Sequence, residues 1–260
     1  MSKYLYILVL VTGLFFSNQI QSQTYLTIIG TQHYPTDNVN SNTLYKELQK
    51  IRPDIILMEY DSSNMDKKGN FLIQSNENEQ VAVKRYSKEY PVILRPFDFE
   101  GRNRFYSQNQ TFKKEQDFFS VRDSLFSNGL LDSVSNAIFQ EFLQVNNILN
   151  VLANETLYDL NNKTSMSVIK LRQDLNYNKL LIMCDRNDQL SRYKEFWKQN
   201  GEFWIFRNKQ MIENILNYCN EFKGKRIVVL TGFYHKYFLH EGLEKVASER
   251  GILMKEFWEY

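Results

Sequence analysis

The run Ile55-Ile56-Leu57-Met58 constrains this chain more than any other stretch. It follows Pro53, holds no polar residue, and opens directly onto Glu59, Tyr60 and Asp61. A strand with one wet face would alternate apolar and polar residues, so an unbroken run suits a strand buried on both faces. The segments around it agree with a parallel sheet between helices. Thr24 to Ile29 is short, rich in β-formers and stopped by Gly30. After a polar turn with Pro35, Asp37 and Asn38, the apolar residues Leu44, Leu48 and Ile51 recur at helical spacing up to Pro53. Residues 61 to 80 are rich in Asp, Ser, Asn and Lys and read as a surface loop able to cover a site. A helix through Val81, Val83 and Tyr86 then precedes a third strand, Val92 to Leu94. Strand and helix alternate in βαβ order.

From about residue 108 to 200 the pattern changes to long helices. Leu131, Val134, Ile138, Phe142, Val145 and Leu149 lie along one face, and breaks fall near Asn162 and Asn187. A further helix starts near Trp204 and continues through Met211, Ile215, Cys219 and Phe222. Arg226 to Leu230 is a strand ending at Thr231 and Gly232, and a helix from Lys236 to Ser248 and a last strand at Ile252 to Met254 follow. The expected fold is α/β: a central, mostly parallel sheet flanked by helices, its strands drawn from both ends of the chain, with a helical insertion at about 105–200.

The chain has 260 residues, 43% of them hydrophobic and 24% charged, which suits one globular domain with a sizeable core. Its formal charge of +2 comes from 32 basic and 30 acidic residues spread along the sequence, so no basic field invites nucleic acid or an anionic membrane. The aromatic residues fall mostly at helical spacing, which marks core rather than base-stacking platforms. Lys3, an apolar run from Tyr4 to Phe16 and a polar exit read as a signal peptide spanning residues 1–22. The run is shorter than the roughly 20 residues of a membrane-spanning helix. The expectation is an exported protein, periplasmic or secreted, with no integral membrane segment after cleavage. In an oxidising compartment Cys184 and Cys219 either pair or stand as two buried thiols.

Ligands of open α/β sheets gather beyond the carboxyl ends of the strands. Four polar features fall there: Gly30-Thr31-Gln32-His33, Glu59 with Asp61, Asp98 with Glu100, and Gly232-Phe233-Tyr234-His235. Of the 3 histidines in the chain, His33 and His235 each lie three residues past a strand-ending glycine. His240 reads as a helix-surface residue. Two imidazoles and a carboxylate from separate strand ends, His33, His235 and Glu59 with Asp98 as a further ligand, suit a divalent metal ion with an open position for water. The same histidines also suit direct acid–base catalysis, with the carboxylates setting tautomer and proton affinity. Glu59 follows four apolar residues, so its charge requires a cation, a donor or a metal. Asp61 and Glu100 are weaker candidates, being acidic residues of loops. Arg207 lies between Trp204 and Met211 on the apolar stripe of its helix and should point inward, toward a carboxylate or an anionic ligand.

These motifs, in order, are GTQH at 30–33, MEYD at 58–61, RNKQM at 207–211 and VVLTGFYH at 228–235. Together they resemble the TraB, PrgY and TIKI family, within the wider set of erythromycin esterases and ChaN-like haem-binding proteins. The resemblance implies a metal-dependent hydrolase acting on a peptide or a small-molecule ester, with His33, Glu59 and His235 at its centre and Arg207 supporting developing charge. The erythromycin esterases imply water activation without a required metal. The ChaN-like proteins imply a non-catalytic binder of metal or haem. Phe233 and Tyr234 stand where many relatives carry smaller residues, which narrows or shields the site.

Overall fold

The structure is a computed structural model and describes residues 23–260; the expected signal peptide, residues 1–22, lies outside the described residues. Five strands form one all-parallel sheet: β1 (Thr24–Thr31), β2 (Ile55–Met58), β3 (Ile93–Pro96), β4 (Arg226–Gly232) and β5 (Ile252–Met254), in the order β3-β2-β4-β1-β5. Strands from both ends of the described residues thus share one sheet, as expected, and β1 and β5 are neighbours in it.

Both faces of this sheet are covered, and β2 shows why its sequence has no polar residue. Ile56 and Met58 enter one core with α1 (Ser41–Ile51) and α2 (Asn78–Glu89), through Leu44, Leu48, Val83 and Tyr86. Ile55 and Leu57 enter the opposite core with α10 (Lys194–Glu221) and α11 (Phe233–Ala247), through Met211, Ile215, Leu239 and Leu243. At roughly 1.5–3 kcal/mol for each fully buried aliphatic side chain, no β2 position can turn polar cheaply.

The connections out of the two central strands run in opposite directions. The chain leaves β1 through α1 on one face toward β2, and leaves β4 through α11 on the other face toward β5. Adjacent parallel strands whose following helices diverge open a crevice at their carboxyl ends, the usual ligand position of such sheets.

Between β3 and β4 the chain is helical: α3 (Arg102–Gln108), α4 (Thr111–Ser127), α5 (Ser133–Asn154), α6 (Leu157–Asn161), α7 (Lys163–Asp174), α8 (Leu180–Arg186), α9 (Asp188–Ser191) and α10. The expected insertion at about 105–200 and the helix expected from Trp204 are therefore continuous, because α10 begins ten residues before Trp204. The breaks near Asn162 and Asn187 are helix caps: Asn162 Oδ1 accepts from the Ser165 N–H, and Asn187 Oδ1 from the Gln189 N–H. Ile138, Phe142, Val145 and Leu149 are buried on one face of α5, whereas Val134 turns outward near its start. Residues 175–179 form a π-helical turn between α7 and α8. It carries Tyr177 against α10, where a Cβ on Gly201 would lie 3.2 Å from the Tyr177 Cβ.

The helical segment is sewn to β1 by one side chain. β5 pairs only with Thr24 to Leu26, so the far half of β1 has no strand on that side. Asn161 takes the vacant place: its Oδ1 accepts from the Gly30 N–H at 2.6 Å, and its Nδ2 donates to the Gly30 carbonyl at 2.8 Å. An amide side chain thus makes the two bonds that a neighbouring backbone would make. Each buried backbone group left without a partner costs about 1–3 kcal/mol. Asn161→Ala should therefore lower unfolding stability by at least about 2 kcal/mol, read from urea midpoints; an unchanged midpoint would contradict this account.

Cys184 and Cys219 stand as free, buried thiols in separate cores, not as a disulfide. Burial pushes each thiol up to about 12. Native protein should resist a thiol reagent that labels 2 cysteines once the chain is unfolded.

Candidate functional site

Arg207 is the hub of the site. It projects from α10 into the crevice with its side chain 5% exposed, and every nitrogen of its guanidinium is engaged. Nε donates to Asp98 Oδ1 at 2.7 Å and Nη2 to Asp98 Oδ2 at 2.8 Å, a fork on one carboxylate. Nη2 also donates to Glu59 Oε1 at 2.6 Å, and Nη1 to His235 Nε2 at 3.2 Å. One cation thereby joins the ends of β2 and β3 to the first turn of α11. The inward Arg207 expected from the helix stripe is found as a brace, with four of its five N–H groups donating to Asp98, Glu59 and His235.

Glu59 immediately follows β2. Its Oε2 accepts from the Thr231 hydroxyl at 2.6 Å and from the Gly232 N–H at 2.7 Å, so the carboxylate caps the start of α11. Burial alone would raise its proton affinity. His235, Arg207 and His33, with the Thr231 hydroxyl, outweigh it, and the permanent charge of Arg207 holds the carboxyl below its ordinary value. Asp98 is more deeply placed, with a fully buried side chain and a second arginine, Arg102, donating to Oδ2 at 2.8 Å.

The two histidines differ in kind. Gly30 does not end β1; it pairs with Thr231, and Thr31 pairs with Gly232. The two motifs are thus out of step by one residue. The chain after Thr31 makes a turn, whereas α11 starts at Phe233, directly after Gly232, and not at Lys236. His235 falls in the first helical turn with its side chain 7% exposed; its Nδ1–H donates to Asn208 Oδ1 at 2.7 Å and its Nε2 accepts from Arg207. Burial first, and then the positive Arg207 and His33, push it down to about 3 against the pull of Glu59, so the ring is neutral. It stacks on Trp204 at 4.3 Å between centroids, and Trp204 stacks on Tyr177 at 5.6 Å.

His33 is 46% exposed in its side chain. Its Nδ1 faces Glu79 Oε1 at 3.1 Å, and that hydrogen bond, against the cost of burial, lifts the ring to about 9 with help from the charges of Glu79, Glu59 and Glu77. Nε2 is the ring nitrogen nearer the crevice: a Cβ on Gly232 would lie 3.3 Å from it and 3.6 Å from Glu59 Oε2. Only a residue without a side chain leaves that space between imidazole and carboxylate. Gly232 is required for this close approach, at an ordinary φ.

The cleft over these groups has a volume of about 860 Å³ and is walled by Arg102, Tyr106, Phe112, Arg172, Tyr177 and Tyr234 besides the residues above. Among the candidates of the sequence, His33, Glu59, Arg207 and His235 line it together. Asp98 lies beneath, behind its two arginines. Asp61 and Glu100 accept from Ser63 and Ser62 and tie down the loop after β2. His240 lies elsewhere on α11, 3.6 Å from Glu256.

Of the expected metal set His33, Glu59, His235 and Asp98, Asp98 accepts from two arginines and both His235 nitrogens are hydrogen-bonded. Among the described residues, the group whose ligand atoms approach one another within 4.8 Å is His33, Glu77 and Glu79, which could hold a metal ion. Glu77 and Glu79 were hidden in the polar stretch 61–80; the structure turns its last residues into the start of α2 and buries Glu79. Arg102 carries a weak signal, four residues after Asp98 at the start of a helix. Among the described residues no helix is long and apolar enough to cross a membrane.

Removing the hub should be severe, because it leaves Glu59 and Asp98 buried together without their shared cation. Breaking a buried pair from one side costs about 3–5 kcal/mol, and Arg207→Met should lose at least that in a urea titration. A loss under about 1 kcal/mol, as for a surface pair, would refute the hub.

Compared with family models, with curated proteins and with solved structures, the chain matches none.

Proposed function

We propose that this protein is an exported hydrolase that adds water to the carbonyl of a peptide or a small-molecule ester. The observation that carries the reading is the placing of His33 Nε2 and Glu59 Oε2 around the side-chain-free space at Gly232, where both residues line the large cleft. The ordered motifs at 30–33, 58–61, 207–211 and 228–235, which resemble the TraB, PrgY and TIKI family, point the same way.

In this reading His33, its Nδ1 directed by Glu79, presents Nε2–H to the carbonyl oxygen and stabilises the oxyanion that forms. Glu59 Oε1, which accepts a hydrogen bond from Arg207 alone, takes a second one from the attacking water. As the oxygen–carbon bond forms, the water proton passes to Glu59, and from there to the departing nitrogen or oxygen as its bond to carbon breaks. The weak proton affinity of Glu59 favours that second transfer to a more basic leaving atom. Arg207 and His235 are positioning residues: they fix Glu59 and do not touch substrate. The aromatic walls exclude water and accommodate an apolar side group.

A non-catalytic binder clamping haem between the two histidines fits less well, because His235 has no free ring nitrogen. The test is turnover of a panel of peptides and esters by the wild-type chain, His33→Gln and Glu59→Gln. Each variant should keep its far-ultraviolet circular dichroism and lose about 100-fold or more in kcat. Full turnover in both folded variants would overturn the assignment, as would a wild-type chain that cleaves no member of the panel.

A further inference from the structure

Glu79 presents a problem that the hydrolase reading leaves unsolved. It is 5% exposed, and its Oε1 is taken by the Thr31 hydroxyl and by His33 Nδ1. Its Oε2 is buried with no hydrogen-bond partner. No lysine or arginine forms an ion pair with Glu79 or Glu77 among the described residues; the cationic partner of Glu79 is His33. Two carboxylates stand beside one imidazole, and one of their oxygens is stranded away from water. Nature seldom leaves a buried carboxylate oxygen in that condition without a ligand to meet it.

The surroundings have the form of a cation site. His33, Glu77 and Glu79 share the wall of a small cavity with Tyr60. His33 Nδ1 and Glu79 Oε1 are 3.1 Å apart, the spacing of two adjacent ligands that each stand about 2.0–2.2 Å from one ion. The outer partners are in place too. Tyr60 Oη donates to Glu77 Oε2 at 2.7 Å, Ser75 Oγ donates to the same oxygen, and Thr31 fixes Glu79, which is how metal-ligating carboxylates are usually oriented.

We propose that His33, Glu77 and Glu79 form a binding site for one divalent transition-metal ion, distinct from the set His33, Glu59, His235 and Asp98. One nitrogen with two carboxylates suits Zn2+ or Mn2+ better than Mg2+, which prefers oxygen ligands alone and keeps its waters. The ion takes the place of the Nδ1 proton of His33, which is released to solvent, and two carboxylate charges then meet a matching double charge. The Nε2–H of His33 stays on the side of the crevice, so the site is compatible with the hydrolase reading and does not depend on it.

The test is calorimetric titration of the chelator-stripped full chain with ZnCl2 and with MnCl2, and MgCl2 as the comparison. One ion per chain is expected, with Mg2+ weakest, and Glu77→Gln and Glu79→Gln should each raise Kd at least about 10-fold. His235→Gln should leave Kd unchanged. With Co2+, the visible absorption of the bound ion should be lost in the same two variants. If Glu79→Gln fails to fold, Glu77→Gln, whose side chain is only half-buried, decides. Absence of binding to the wild-type chain would overturn the site, as would binding weakened by His235→Gln and indifferent to Glu77→Gln. Hydrolysis that persists after chelation would bear on neither result, so the two readings fail separately.

Discussion

The buried guanidinium of Arg207 is the constraint on which the crevice depends. Two carboxylates at the ends of neighbouring strands, desolvated and of like charge, would push those strand ends apart or take up protons. A single cation donating to both removes the repulsion, and an N–H of its Nη1 selects the neutral tautomer of His235 that has its lone pair at Nε2. Asn208, the next residue of α10, accepts from the other side of the same ring. One turn of one helix therefore determines the protonation of a carboxylate and a histidine on two other elements. That is an economical use of a buried charge, and it explains why the helical segment must end against the sheet.

From this follows the division of labour between two histidines that look alike in the sequence. A one-residue offset between β1 and β4 sends His33 into a turn, half exposed beside two glutamates, and His235 into a helix, sealed under Trp204 beside an arginine. Identical side chains in the same four-residue motif thus differ in charge, one drawn toward the cation and the other held neutral. The motif supplies position at the crevice, and the neighbours brought by α2 and α10 supply the chemistry.

Much of this was legible. Apolar runs without alternation announced a doubly covered parallel sheet, helical spacing announced the segment between β3 and β4, and glycine followed by histidine marked the crevice. Arg207 could be turned inward from its stripe alone, because Trp204 and Met211 flank it at helical spacing. The register offset could not be read, since pairing depends on the partner strand and a single residue of slip leaves the local pattern unchanged. Glu79 was also beyond reach. It sits at the head of α2 among Asn, Glu and Gln, and only the chain reversal that carries this head under His33 buries it. A charged residue in a polar stretch gives no local sign that tertiary contacts will remove it from water.

The seam between Asn161 and Gly30 has a consequence beyond the stability of one bond pair. A sheet that stops short beside a central strand leaves a row of unanswered peptide groups, which is how chains recruit one another edge to edge. Here that row is stopped with a side chain, at the level of the crevice where a foreign strand would do most harm. The same amide thus acts as a gatekeeper: it fills the place beside Gly30 that a foreign strand would take.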